Sequence, residues 1–437
     1  MARAAAVAET GVVTALSDEG DGIVTGGRTA FVGDALPGET VSFMRRRRYR
    51  QYDKAELLAR LSTSPLRVTP QCAHFGLCGG CALQHLDSAA QLAIKEQQLR
   101  DALERIGRVT PKQWLAPLAG PVWHYRRRAR LGVRYVPRKG RVVVGFRERY
   151  SSLIALLDSC EVLAEPLGAL LTPLGELIMG LSVRERLPQI EVAVAESVTA
   201  LVLRVLDPPT AADEAQLRAF ESAHAVRFYL QPAGYASIRP LSEPAPQLTY
   251  TLPEFGLELQ FEPADFIQVN AMLNRALVGR VVELLQPDER SQVLDLFCGL
   301  GNFTLALARR AGAVVGLEVD AGLIARARAN AERNGLTNAE FCCANLAPEP
   351  PDLPSWPQRR YSQVLLDPPR AGAAEVLPAL GRLGAERIMY VSCHPGTLAR
   401  DLGILVHEHG YQLQSAGVAD MFAQTAHVES LALLTRV

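Results

Sequence analysis

The chain has 437 residues, 48% of them hydrophobic and 21% charged, with lysine plus arginine and aspartate plus glutamate equal at 46 each. That is the composition of a globular protein of two or three domains, and the balanced charge by itself points to no partner. Eight cysteines are too few for a secreted disulfide framework, no stretch has the unbroken apolar length that spans a bilayer, and "MARAAAVAETGVV" lacks the apolar core and cleavage pattern of a signal peptide, so the chain is expected in the cytoplasm, away from membranes.

Residues 11–62 alternate short β-like runs ("GVVTAL", "GIVTGGRTAFVG", "ETVSFMRRRRYRQYDKAELLARL") with glycine and aspartate turns, the pattern of a small β-barrel. A first domain is assigned to 1–64. Its "RRRRYR" at 45–50 and the later "HYRRRARLGVRY" at 124–135 interleave arginine with tyrosine. One such run is ordinarily a solvated charged face. Two of them, built from arginine and aromatics rather than lysine and glutamate, favour a surface that tracks RNA or DNA phosphates.

"CAHFGLCGGC" at 72–81 sets Cys72, Cys78 and Cys81 at C-x5-C-x2-C spacing, and Cys160 in "LLDSCEVL" is the one other cysteine before residue 262. Four thiolates make a closed site, for which zinc and an iron–sulfur cluster are equal readings on spacing alone. "DSAAQLAIKEQQLRDALERIG" then places Leu92, Leu99, Leu103 and Ile106 near helical spacing and stops at Gly107. From 122 to 260, runs such as "RVVVGFRE", "QIEVAVAE" and "VTALVLRVL" read as strands of a mostly antiparallel sheet, with a proline- and alanine-rich loop near 207–214. A central domain is assigned to 65–261, its helix around 87–107 being free to pack on the domain that follows.

Over 262–437 the pattern changes to strand, glycine turn and helix in succession, which implies a doubly wound α/β sheet whose ligands bind at the carboxyl ends of the strands. "VLDLFCGLGNF" ends a strand and turns on Gly299 and Gly301; "AVVGLEVD" ends at Glu318, placed to accept from ribose hydroxyls, with Asp320 an equal choice. The loop lacks the G-x-G-x-x-G spacing of a dinucleotide fold. With a third strand ending in "DPPR", this part resembles class I (Rossmann-like) S-adenosylmethionine-dependent methyltransferases. The resemblance implies that Phe297, Gly299, Asn302, Glu318 and Asn345 surround S-adenosylmethionine.

Arg370 follows the two prolines of "DPPR" where enzymes that methylate exocyclic amines commonly carry an aromatic, and the motif has no cysteine such as RNA cytosine-C5 enzymes use. Cys393 in "VSCHP" stands instead at the next strand end. A strand-end cysteine in the pocket is read as a nucleophile in preference to a buried structural thiol. Thiolate addition to C6 of uracil makes C5 nucleophilic, and a general base must then take the C5 proton. "HVESLALL" offers His427 and Glu429, of which Glu429 is the candidate base; Asp367 is the candidate partner of the uracil edge and belongs with the residues around the cofactor.

Motif by motif, "FIQVN" at 266–270, "DLFCGLGNFTL", "DPPR", "SCHP" and "HVESL", the chain resembles the RNA uridine-C5 methyltransferases of the RlmD (RumA) group, which modify 23S rRNA. That resemblance covers nearly the whole chain. It implies Gln268 as a cofactor contact, Cys393 as nucleophile, Glu429 as proton acceptor, a TRAM domain (an OB-like RNA-binding barrel) at 1–64, and Cys72, Cys78, Cys81 and Cys160 as ligands of a [4Fe-4S] cluster in the central domain. It separates the chain from the RlmC type, which typically lacks the barrel. His394 departs from the asparagine of many members. The expected partner is 23S ribosomal RNA and the expected state a monomer. Another rRNA uridine or the tRNA T-loop is the alternative substrate, and an iron–sulfur RNA-binding protein without catalysis is the alternative of another class.

Overall fold

The computed structural model describes residues 7–346 and 359–437; the first six residues of the expected 1–64 domain, and 347–358, lie outside them. Strands Glu9–Leu16, Gly22–Val24, Ala30–Val32, Thr40–Arg48 and Asp53–Arg60 close into a barrel. Alternation builds it: in Thr40–Arg48, Val41 and Phe43 point inward onto Val13, Val24, Ala30 and Val32. Closure leaves no long unpaired edge. Arg67 donates to both carboxylate oxygens of the buried Glu39, at 2.6 and 2.8 Å, and so ties the barrel to the segment that follows.

Helix Ser88–Ala102 starts where Asp87 accepts from Ala89 N and Ala90 N, at 3.0 and 3.2 Å. Its buried stripe is Gln91, Lys95 and Leu99, continued by Leu103, a strict i, i+4 row with two polar members. Ile106, expected on the apolar face, is 55% exposed, because a π-helical turn over Leu103–Gly107 inserts a residue and rotates it outward. Gly107 lies so close to helix Pro395–His409 that a Cβ there would stand 2.5 Å from Ala399 O.

The middle sheet has six strands, antiparallel except where Thr199–Arg204 runs parallel to Val226–Gln231. Helix Ala211–His224 makes that one crossover. Four residues of the loop expected near 207–214 therefore belong to this helix, which begins at a capping box between Thr210 and Asp213.

Among the described residues the last sheet has eight strands. Ala339–Cys343, Ala313–Glu318, Gln292–Leu296, Gln363–Leu366 and Arg387–Ser392 run parallel in that spatial order; Glu429–Arg436 enters antiparallel beside Arg387–Ser392, followed by Tyr411–Ala419 and the short Gln113–Trp114. Leu294, Leu296, Val364, Leu366 and Tyr390 fill one face and Val293, Val314, Leu365, Met389 and Val391 the other, as a doubly wound sheet requires. The antiparallel entry brings the start of Glu429–Arg436 beside the carboxyl end of Arg387–Ser392, with Ser392 opposite Ser430.

Candidate active site

A cavity of about 590 Å³ opens at the carboxyl ends of the parallel strands. Gln268, Phe297, Gly299, Asn302, Glu318, Asn345, Asp367, Cys393 and Glu429, named from the sequence, all line it. In the glycine loop even Phe297 adopts φ 65°, a left-handed conformation costly for an aromatic residue, and Gly299 and Gly301 follow at φ 57° and 97°. Glu318 Oε1 accepts from Val319 N and Asp320 N, at 2.7 and 3.2 Å, and Oε2 from Gly299 N at 3.3 Å. The carboxylate is thereby held across the cavity floor with acceptor capacity to spare. Asp320 is absent from the lining; its carboxylate caps helix Ala321–Arg333 by accepting from Leu323 N at 2.9 Å, whereas Glu318 lines the cavity. A cavity of this size, apolar at Phe297, Leu300, Phe303 and Leu346 and acidic at Glu318, suits a nucleoside with an amino-acid tail.

At the other end stand Cys393, Asp367 and Glu429. Burial pushes the Cys393 thiol up to about 11, with the Glu429 and Asp367 carboxyls adding to the shift and Arg370 opposing it. Burial likewise raises Asp367 to about 7 and Glu429 well above the usual carboxylate range, Asp367 contributing to the latter. An ionised carboxylate in such surroundings is a strong proton acceptor. His427, next to Phe422 at 5.5 Å between ring centroids, is held below the usual imidazole range by burial and then by Arg370, and does not line the cavity. His394 caps helix Pro395–His409, its Nδ1 accepting from Thr397 N at 3.1 Å, so in place of asparagine it does what an asparagine oxygen does at an N-cap.

Sequence reasoning missed Tyr250, Phe266 and Phe422. Tyr250 donates to Asn302 Oδ1 at 3.0 Å. Phe266 lines the cavity with 67% of its surface exposed. Phe422 is carried by a segment gripped from residues 82–125: Ala82 N and Leu83 N donate to Gln424 O at 2.9 and 3.0 Å, Gln91 and Gln424 exchange amide hydrogen bonds, and Tyr125 donates to Ala423 O at 2.8 Å. The only sequence signal was position: Phe266 within "FIQVN" and Phe422 shortly before "HVESL".

Cys72, Cys78, Cys81 and Cys160 line a second cavity together, all unbridged. Burial raises Cys78 to about 11 and Cys81 to about 12, and Cys160 in the same direction. Donors face these sulfurs: Gly80 N lies 3.4 Å from Cys78 Sγ, Gln84 bonds Cys81, and the amides of Val162 and Leu163 bond Cys160. Gly79 N donates to Arg147 O and Arg149 N to Leu77 O, both at 2.9 Å, which pins the loop against the hairpin beside the middle sheet. Among the described residues no three His, Cys, Asp or Glu side chains are grouped to hold a single metal ion.

The two arginine runs part company. In the first, Arg45 pairs with Glu9 and Asp53, Arg46 with Glu56, and Arg47 lies over Tyr49, while Arg48 and Arg50 are exposed without an ion pair among the described residues. Phe31, Tyr52 and Tyr49 stack in a row beside them, at 4.3 and 4.9 Å between centroids. In the second run Arg127 is 5% exposed and Arg128 gives its guanidinium to Val192 O and Pro263 O, where the segment enters the middle sheet, while Arg130 and Arg134 stay exposed. No helix among the described residues is long and apolar enough to cross a membrane.

A family model described as tRNA (Uracil-5-)-methyltransferase matches residues 87–349 and 355–437. The chain is 51% identical over 421 residues to "23S rRNA (uracil(1939)-C(5))-methyltransferase RlmD" of Cupriavidus pinatubonensis, covering 94% of this chain and 90% of the relative. It is 50% identical over 426 residues to the protein of the same name from Methylococcus capsulatus, covering 97% and 96%. A crystal structure of Pyrococcus abyssi tRNA (uracil-54, C5)-methyltransferase in complex with S-adenosyl-L-homocysteine superposes with a TM-score of 0.75 over 98% of this chain and 99% of that one; at 24% identity the likeness is one of fold.

Proposed function

The chain belongs to the tRNA (uracil-5-)-methyltransferase family, and within it to the RlmD group, and from this we propose that it is an S-adenosylmethionine-dependent enzyme that methylates C5 of uracil 1939 in 23S rRNA. The observation that carries the reading is the meeting of Cys393, Glu429 and Asp367 in one cavity with the glycine loop and Glu318.

Gln268, Phe297, Gly299, Asn302, Glu318 and Asn345 hold the cofactor, Glu318 taking the ribose hydroxyls. S-adenosylmethionine supplies an electrophilic methyl group on a sulfonium. The target uridine is flipped out of RNA structure into the cavity, where Asp367 bonds the uracil edge. Cys393 loses its thiol proton and adds as the thiolate to C6, pushing the C5–C6 electron pair onto C5 and the C4 carbonyl oxygen. C5 takes the methyl group; Glu429 then removes the C5 proton, and the returning electron pair expels Cys393 as thiolate. The products are 5-methyluridine and S-adenosylhomocysteine.

The barrel is read as a TRAM domain for RNA, its cations at Arg47, Arg48 and Arg50 beside the aromatic row. Cys72, Cys78, Cys81 and Cys160 would hold a [4Fe-4S] cluster, which methyl transfer does not need for electrons; four thiols facing one space with amide donors on their sulfurs support it. Its role is to fix the 72–81 loop. The enzyme works as a monomer in the cytoplasm, where ribosomal RNA is made. Incubating 23S rRNA and tRNA transcripts with protein and S-adenosylmethionine, then mapping 5-methyluridine by mass spectrometry of nuclease fragments, tests the substrate. Methylation confined to the fragment with uracil 1939 supports the reading, and methylation of the tRNA T-loop alone contradicts it.

A further inference from the structure

Arg127 stands in an arginine run that reads as surface, yet it is buried, and its contacts lead to the cofactor end of the cavity. Its Nε donates to Gln268 O at 2.8 Å, its guanidinium lies 4.7 Å from the centroid of the Tyr250 ring, and its backbone N donates to Val269 O at 2.9 Å. Among the described residues no carboxylate lies within ion-pair distance of it, Glu196 acting only from farther off, and its enclosed Nη2 has no hydrogen-bond partner there. A buried guanidinium with no carboxylate in contact is costly and persists only where its other contacts offset that cost.

Those contacts reach three segments that line one space. Gln268 comes from the turn before helix Ala271–Leu285, Tyr250 from strand Leu248–Leu252, and Asn302 from the glycine loop. The Tyr250 hydroxyl donates to Asn302 Oδ1 at 3.0 Å, and Asn302 and Asn274 exchange amide hydrogen bonds at 2.9 and 3.0 Å. Arg127 thus touches two of the segments directly and the third through one ring. It is supplied by the strand region of the middle sheet, outside the parallel strands whose ends form the cavity.

We propose that Arg127 is a positioning residue for the cofactor half of the site, setting the Gln268 backbone and the Tyr250 ring and, through Tyr250, the Asn302 amide. The inference rests on the reading of this cavity as the S-adenosylmethionine site. Its consequence is that an arginine in a run that looks made for RNA governs affinity for the methyl donor instead.

The test uses the full chain with Arg127→Met, Arg127→Lys and Tyr250→Phe. S-adenosylhomocysteine binding is measured by titration calorimetry, and binding of a 23S rRNA fragment transcript is measured in parallel. Arg127→Met is expected to raise the Kd for S-adenosylhomocysteine by roughly tenfold, the scale of one lost charged hydrogen bond. Arg127→Lys keeps a donor for Gln268 but cannot lay a plane on Tyr250, and falls between; Tyr250→Phe, which frees Asn302 Oδ1 of one donor, weakens binding in the same direction. RNA affinity stays unchanged, and KM for S-adenosylmethionine rises while kcat at saturation holds, a split that general loosening of the fold would not give. Should Arg127→Met fail to fold, the other two variants decide. Unchanged S-adenosylhomocysteine affinity in folded variants, or an equal loss of RNA affinity, overturns the proposal. An unsubstituted chain that binds no S-adenosylhomocysteine would remove the cofactor reading, and this inference with it.

Discussion

Lys95 Nζ lies 2.6 Å from Asp420 Oδ1, with the two side chains 1% and 7% exposed. The same ammonium donates to Phe422 O at 3.1 Å, so helix Ser88–Ala102 fastens the segment that brings Phe422 into the cavity and leads on to Glu429. Removing the lysine would strand the Asp420 charge in the interior. Lys95→Met is expected to lower the unfolding free energy by about 3 kcal/mol, and Lys95→Met with Asp420→Leu by clearly less than the sum of the single losses. Urea denaturation of the four proteins measures this, and strictly additive losses would contradict it.

Asp295, fully enclosed, has its carboxyl pushed up to about 7 by burial, with the Asp367 and Glu318 charges adding and Thr304 opposing. In the unfolded chain the same group titrates in the ordinary carboxylate range. Between the two values the folded chain binds more protons, so this group's contribution is fully present at low pH and is lost as pH rises through about 7. Asp295→Asn should therefore flatten the fall in stability between pH 5 and pH 8 without abolishing it, since Asp367 is raised to about 7 as well. Unfolding midpoints at the two pH values report the slope; an identical slope in the variant would count against the assignment.

Much of the cavity was readable because ligands of a doubly wound sheet gather at strand ends, and strand ends are visible as hydrophobic runs that stop at a glycine or an acid. Glu318, Asp367 and Cys393 were located that way. The remainder depends on contacts between distant segments. Gln91 and Lys95 look like the solvent face of an amphipathic helix, and their burial follows only from the Asp420–Gln424 segment arriving on top of them. Nothing in "HYRRRARLGVRY" tells which arginine is buried against Gln268 and Tyr250 and which faces water. Ile106 left its expected stripe through one π-helical turn, a local irregularity that spacing does not encode.

Protein purified anaerobically should be brown and carry iron and sulfide near four each per chain, roughly, as a cluster held by Cys72, Cys78, Cys81 and Cys160 requires. Cys81→Ser is expected to lose the colour and to loosen the Gln424 segment, whose carbonyl accepts from Ala82 N and Leu83 N. Colourless protein with one zinc per chain would contradict the cluster.

Arg48 and Arg50 are exposed on the barrel without an ion pair among the described residues, whereas Arg46 is engaged by Glu56. Arg48→Ala is expected to weaken binding of 23S rRNA and to reduce the slope of log affinity against log salt by about one, the signature of one lost phosphate contact. S-adenosylhomocysteine binding should not change. Filter binding across a salt series reads the slope, and a slope identical to that of the unsubstituted chain would remove Arg48 from the RNA surface.

The most direct measurement is tritium release from 23S rRNA transcript labelled at uridine C5, with and without S-adenosylmethionine, for the unsubstituted chain, Cys393→Ala and Glu429→Gln. Release that needs the cofactor, disappears in Cys393→Ala, and gives way in Glu429→Gln to protein covalently attached to methylated RNA is the predicted result. Cofactor-dependent release that survives in Cys393→Ala would contradict the proposed addition to C6.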